Sequence, residues 1–249
     1  MRYPLAAILI ALSALFLFPD VAAAQQIDLG ALLPQGDASV SGRIIQVMAF
    51  VTVMSVAPGL LMMVTSFTRF LIAFSFLRAG LGLQTTPSNL VLISLAMFMT
   101  MFVMSPTFEQ SWTKGVKPLI ENTVTLEEGY AQTTTPFRVF MRQNVRDKDL
   151  ATFQAIAAEK NPGSEPYAET DFRVLIPAFM VSELRRGFEI GFLIALPFLI
   201  IDLVVATVMM AMGMMMMPPT VLSLPLKALF FVLIDGWSLL VGTLVRSFN

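Results

Sequence analysis

The chain has 249 residues, 56% hydrophobic and only 13% charged, where a soluble domain carries about 25% charged residues. A net charge of −1 leaves no broad basic surface for nucleic acid, and the absence of Cys and His removes disulfides, thiolate metal sites and the commonest general base near neutral pH. The composition expects a membrane protein with no cofactor, and gives an enzyme no nucleophile–base pair or metal cluster to stand on.

Arg2 supplies a charged start, Leu5 to Phe18 an apolar centre and Ala22-Ala23-Ala24 a small-residue cleavage site, which predicts a signal peptide over residues 1–24. An uncleaved first span is the alternative. Residues 25–43, rich in Gly, Pro, Gln and Ser, read as a flexible lead-in. A first hydrophobic hairpin block then covers residues 44–106. Ile44 to Val64 is apolar enough to span, with a bend expected at Pro58-Gly59. Phe67, Leu71, Phe74 and Leu77 recur at helical spacing, while Arg69 and Arg78 face different sides. The simpler account of these arginines is a loop obeying the positive-inside bias rather than a functional pair. Gln84 to Ser88 predicts a turn, and Asn89 to Met104 a further helix ending at Ser105-Pro106.

Residues 107–173 switch to interleaved charges and predict a small helical domain. Thr135-Pro136 reads as a helix start, and a second short helix runs about 149–160 to a stop at Asn161-Pro162-Gly163. A signal peptide and two crossings place this domain in the periplasm. Its basic residues conflict with the positive-inside rule, but that rule is weak for loops longer than about 60 residues.

The second hydrophobic block, residues 174–249, holds an unusual hairpin. An apolar helix carrying Asp202 leads into Met214, Met215, Met216 and Met217, then Pro218-Pro219, then a second apolar helix with Lys227 and Asp235. An unbranched thioether re-packs around varied shapes, and apolar constrictions resist ions by dewetting, so this turn reads as a flexible closing device or simply as an apolar helix end. Ionisable groups in apolar helices usually face the protein interior. Glu183 has Arg186 within local reach, or a partner on another subunit. Counted from a turn near 217–218, Lys227 lies some 9 Å closer to the tip than Asp202 at about 1.5 Å per residue, which argues against a direct pair. The expected fold is all-α, built of long apolar helical hairpins with the small polar domain inserted.

The runs IPAFMVSELRRGFEIGF (176–192), PFLIIDLVVATVMMAMGMMMMPP (197–219) and LPLKALFFVLIDGWSLLVGTL (224–244), with MMVTSFTRFLIAFSFLRAGLG (62–82), resemble the P-subunit family of the flagellar type III export gate. Its counterpart in virulence secretion systems is the R subunit. The resemblance covers nearly all of residues 44–248. It implies a multi-pass protein of the bacterial inner membrane at the flagellar basal body. It also implies a homo-oligomeric ring, five copies in the family, that joins the gate's Q and R subunits and the A and B export components. Unfolded rod, hook and filament subunits would pass through the centre, with Met214, Met215, Met216 and Met217 as a pore gasket. In that ring Glu183, Asp202, Lys227 and Asp235 become assembly charges, with Lys227 expected to pair with Glu183 or another acid on a neighbouring subunit. Two other functions fit the residues alone, an ion-coupled secondary transporter using Asp202, Glu183 and Lys227 as a relay, and a membrane scaffold.

Overall fold

Every regular element described by the computed structural model, which covers residues 40–160, 167–214 and 216–248, is helical. In chain order these are α1 (Val40–Met63), α2 (Phe67–Gly80), α3 (Asn89–Ser111), a π-helical turn (Trp112–Val116), α4 (Lys117–Ile120), α5 (Leu126–Asn144), α6 (Asp147–Lys160), α7 (Phe172–Ala211), α8 (Thr220–Leu233) and α9 (Gly236–Arg246). The signal peptide read at 1–24, the lead-in as far as residue 39 and the Asn161-Pro162-Gly163 stop lie outside the described residues.

Residues 1–57 and 58–249 form separate units. Of the first, the helical stretch from Val40 is described. It exposes Ile45, Met48, Phe50, Val51 and Met54. Thr52 and Ser55 donate their hydroxyls to the carbonyls of Met48 and Val51, both at 2.8 Å. Bonding back to its own helix lets a hydroxyl sit in an apolar setting without a water partner.

In the second unit α2 lies along α7. Their close approach follows from Gly187, Gly191 and Ala195, small residues recurring every four positions on one side of α7. Ile72 fills the space over Gly187, Phe76 that over Gly191, and a Cβ on Gly191 would fall 2.7 Å from the Phe76 ring. The first core gathers Phe70, Ala73, Phe74 and Leu77 of α2 with Leu92 and Ala96 of α3, Phe198 of α7 and Leu244 of α9. A second core joins Met104 of α3 to Phe140 and Met141 of α5, Leu150 of α6 and Val174, Leu175 and Phe179 of α7. Phe248 packs against both cores.

At two prolines the helix boundaries differ from the sequence reading. α3 runs on through Pro106 to Ser111. Pro106 forfeits one backbone bond, but Met104 and Phe108 pack into the second core on either side and hold the helix together. Likewise Thr135-Pro136 is not a helix start. α5 begins ten residues earlier, behind Thr125, with a capping box in which Glu128 N–H donates to Thr125 Oγ1 (3.3 Å) and Thr125 N–H donates to Glu128 Oε2 (3.1 Å). Pro136 is buried on the face that α5 packs inward.

Asn89–Ile120 and Phe172–Ala211 are each long and apolar enough to cross a membrane, with mean hydropathies of 1.9 and 2.6. Thr220–Leu233 and Gly236–Arg246, bent by 65°, pass the same test as a pair. Phe102, Phe192, Leu199, Leu203 and Leu229 are exposed on these helices. Such faces fit lipid or protein and not water. The chain is an all-α membrane protein.

Candidate functional site

The methionine-rich hairpin is built from its helix ends. α7 stops at Ala211 because Gly213 takes φ +75°, a left-handed conformation that costs glycine nothing. Its last carbonyls are satisfied by a Schellman pattern, in which Gly213 N–H donates to Met210 O and Met214 N–H to Met209 O, both at 3.0 Å. Pro218-Pro219 then ends the turn, and α8 starts at Thr220. Of the four methionines singled out in the sequence, Met216 is fully exposed, while Met214 and Met217 are 37% and 41% exposed. Met215 lies outside the described residues.

Lys227 pairs with Asp202 in the same chain, which corrects the expectation of an acid on a neighbouring subunit. Its Nζ donates to Asp202 Oδ2 at 2.5 Å and to the Gly80 carbonyl at 2.9 Å. The two residues lie closer in depth than a turn near residue 217 would put them, because helical structure ends at Ala211 and resumes at Thr220. Measured from those ends, Asp202 is about 13.5 Å deep and Lys227 about 10.5 Å, a difference that a lysine side chain spans. The pair is mostly closed to solvent on the lysine side, and Lys227 ties both arms of the hairpin to the end of α2.

Glu183 pairs neither with Arg186 nor with Lys227. Its carboxylate takes two hydrogen bonds from Arg69, Nε to Oε2 at 2.8 Å and a short one from Nη2 to Oε1, and both side chains are fully buried. The remaining nitrogen of Arg69, Nη1, donates to the carbonyl and the hydroxyl of Ser247, each at 2.8 Å. The guanidinium lies 3.5 Å from the centre of the Phe248 ring. Arg69 is therefore an interior residue, not a loop cation. An arginine inside an apolar stripe demands a buried partner, and that signal was present in the sequence. Ser247 and Phe248 had none.

One residue before Glu183, Ser182 joins the polar helices to α7. Its hydroxyl accepts from the Arg146 N–H (3.1 Å) and lies 2.7 Å from Asp149 Oδ2 and 2.9 Å from the Ala178 carbonyl. At the start of α7, Asp171 caps the Arg173 N–H (2.9 Å) and takes two bonds from the Arg173 guanidinium. The guanidinium first, then the backbone bond, holds the Asp171 carboxyl down to about 2. Asp235 forms no ion pair among the described residues and is exposed at the bend between α8 and α9 in a left-handed conformation (φ 50°). Among the described residues no three potential Asp or Glu metal ligands lie together.

The family model described as the FliP family matches residues 50–244. The chain is 58% identical to the flagellar biosynthetic protein FliP of Agrobacterium fabrum, over 97% of this chain and 98% of that protein. It is 55% identical to the protein of that name from Rhizobium meliloti, over 94% and 96% of the two chains. The Bacillus subtilis protein of that name is 47% identical over 82% of this chain and 91% of its own length.

Proposed function

The chain belongs to the FliP family, and from that premise we propose that it is a component of the flagellar type III export gate. In this reading it is a multi-pass protein of the inner membrane at the flagellar basal body. Several copies, five by family resemblance, assemble with the Q and R subunits and engage the A and B export components. Together they surround a conduit for unfolded rod, hook and filament subunits. The chain carries out no covalent chemistry; it forms a wall and a seal.

The observation that carries the reading is the hairpin tip. Met214, Met216 and Met217 stand at the end of two apolar helices, beyond a Schellman stop and before a double proline. Below them, Lys227 and Asp202 hold the arms at a fixed spacing. A rigid stem with a soft apolar tip suits a seal that must resist ions at rest and yield to a polypeptide. Imaging the complex purified with its Q and R partners tests the arrangement. Met214 to Met217 of every copy are expected to converge at the narrowest point of a central channel. A ring whose methionine loops point outward into lipid would refute it.

A further inference from the structure

The loop between α2 and α3 stands beside the methionine-bearing hairpin. A crevice of about 470 Å³ separates them, with Gly82, Gln84, Thr85 and Thr86 on one wall and Thr220, Val221 and Leu224 on the other. Thr220 is the first residue of α8, directly after Pro218-Pro219, so the crevice opens next to the methionine loop. Gln84, Thr85 and Thr86 are exposed, and among the described residues their side chains make no hydrogen bond. The loop is also tied to the hairpin, because the Lys227 ammonium that holds Asp202 donates to the Gly80 carbonyl at the loop's start.

We propose that Gln84, Thr85 and Thr86 form a polar track for the backbone of an extended polypeptide, directly beside the methionine seal. This rests on the conduit reading and names further passenger contacts for it. An unfolded chain carries one unpaired N–H and one unpaired C=O at nearly every residue, and leaving them unpaired away from bulk water is costly. Methionine side chains at the tip offer those groups no donor and only a weak sulfur acceptor. An amide and two hydroxyls supply both donors and acceptors. Being uncharged, they accept any passenger sequence, while Val221 and Leu224 on the facing wall accommodate apolar side chains. Through Lys227, any outward movement of the hairpin moves this track with it.

The test is a photo-crosslinking amino acid placed singly at Thr85, at Met216 and, as a control, at Tyr130 in the full chain, in cells exporting a flagellar subunit fused to a tightly folded, stalling domain. Adducts with the passenger are expected at Thr85 and Met216, and none at Tyr130. A parallel Gln84→Ala/Thr85→Ala/Thr86→Ala variant is expected to assemble at the normal level and to export about fivefold more slowly, the factor for one lost net hydrogen bond. Adducts at Met216 without any at Thr85 overturn the track and leave the conduit standing. An adduct from Thr85 to another gate component, and not to the passenger, also overturns it. Adducts at neither position overturn the conduit reading itself.

Discussion

Arg69 and Glu183, 114 residues apart in sequence, form a two-point ion pair from which solvent is excluded on both sides. Burying either charge alone costs several kcal/mol, and the pair offsets that cost because Nη1 of Arg69 is also bonded to Ser247 and the guanidinium lies over the Phe248 ring. The pair welds α2 to α7, and Arg69 also holds Ser247 and the ring of Phe248, which packs against both cores. Its location between α2 and α7 makes it a feature of the helical scaffold.

Removing one partner is therefore far worse than removing both. Arg69→Met or Glu183→Leu alone is expected to cost about 3–5 kcal/mol, because each leaves a buried uncompensated charge. The double variant is expected to recover most of that loss. Thermal melting of the detergent-solubilised protein, with its folded yield, measures the difference. Equal losses in the single and double variants would show that the pair is not the unit of stability.

The Lys227 clamp has a different signature, since Asp202 is partly exposed and the lysine is shared with the Gly80 carbonyl. Lys227→Met is expected to destabilise the hairpin by about 1.5–3 kcal/mol, the range for hydrogen bonds to charged groups. Asp202→Asn should cost less, because the Gly80 bond survives. Reversing both residues, Asp202→Lys with Lys227→Asp, is expected to restore little, as an aspartate would then face the Gly80 carbonyl with no donor. A double-mutant cycle on melting reads this directly. Full rescue by the reversed pair would show that the carbonyl contact is incidental.

Asp171 makes stability depend on acid pH. Its carboxyl is held at about 2 by the Arg173 guanidinium and the capped backbone, below the ordinary 3.8. A group whose pKa is depressed on folding contributes fully above its unfolded value and loses that contribution as pH falls through its folded one. The stability gap between the parent and Asp171→Asn should thus be constant above about pH 5 and shrink from pH 4 towards pH 2. A gap that widens in acid would contradict the assigned pairing.

The glycine stripe sets the approach of α2 to α7. Gly191→Leu is expected to force the helices apart, because even a Cβ there would sit 2.7 Å from the Phe76 ring. The cost should be about 1–3 kcal/mol, as for other overpacked sites. Shortening the facing side chain with Phe76→Ala should relieve part of it. Independent effects of the two changes would place the tight contact elsewhere.

Much of this architecture was legible in the sequence because hydrophobic period and turn residues are local. The apolar helices, the short α6 and the methionine turn all follow from patterns within a few turns of helix. Thr125 and Glu128 are themselves a legible capping box, overshadowed in the sequence by the threonine–proline step at 135–136. Lys227 and Asp202 required only one correction, the position where α7 ends, and Gly213 marks it. Arg69–Glu183 was out of reach in another way. Each residue announces that it needs a partner, but no spacing rule links positions so far apart, and local Arg186 offers a false solution. Ser247 and Phe248 contribute through tertiary position alone.

Ionic conductance of the assembled complex tests the central claim most directly. With Met214, Met215, Met216 and Met217 shortened to Ala, complexes that assemble at the normal level are predicted to leak ions across the membrane at rest, while the parent complex stays sealed. An alanine variant that assembles normally and remains as tight as the parent would contradict a methionine seal.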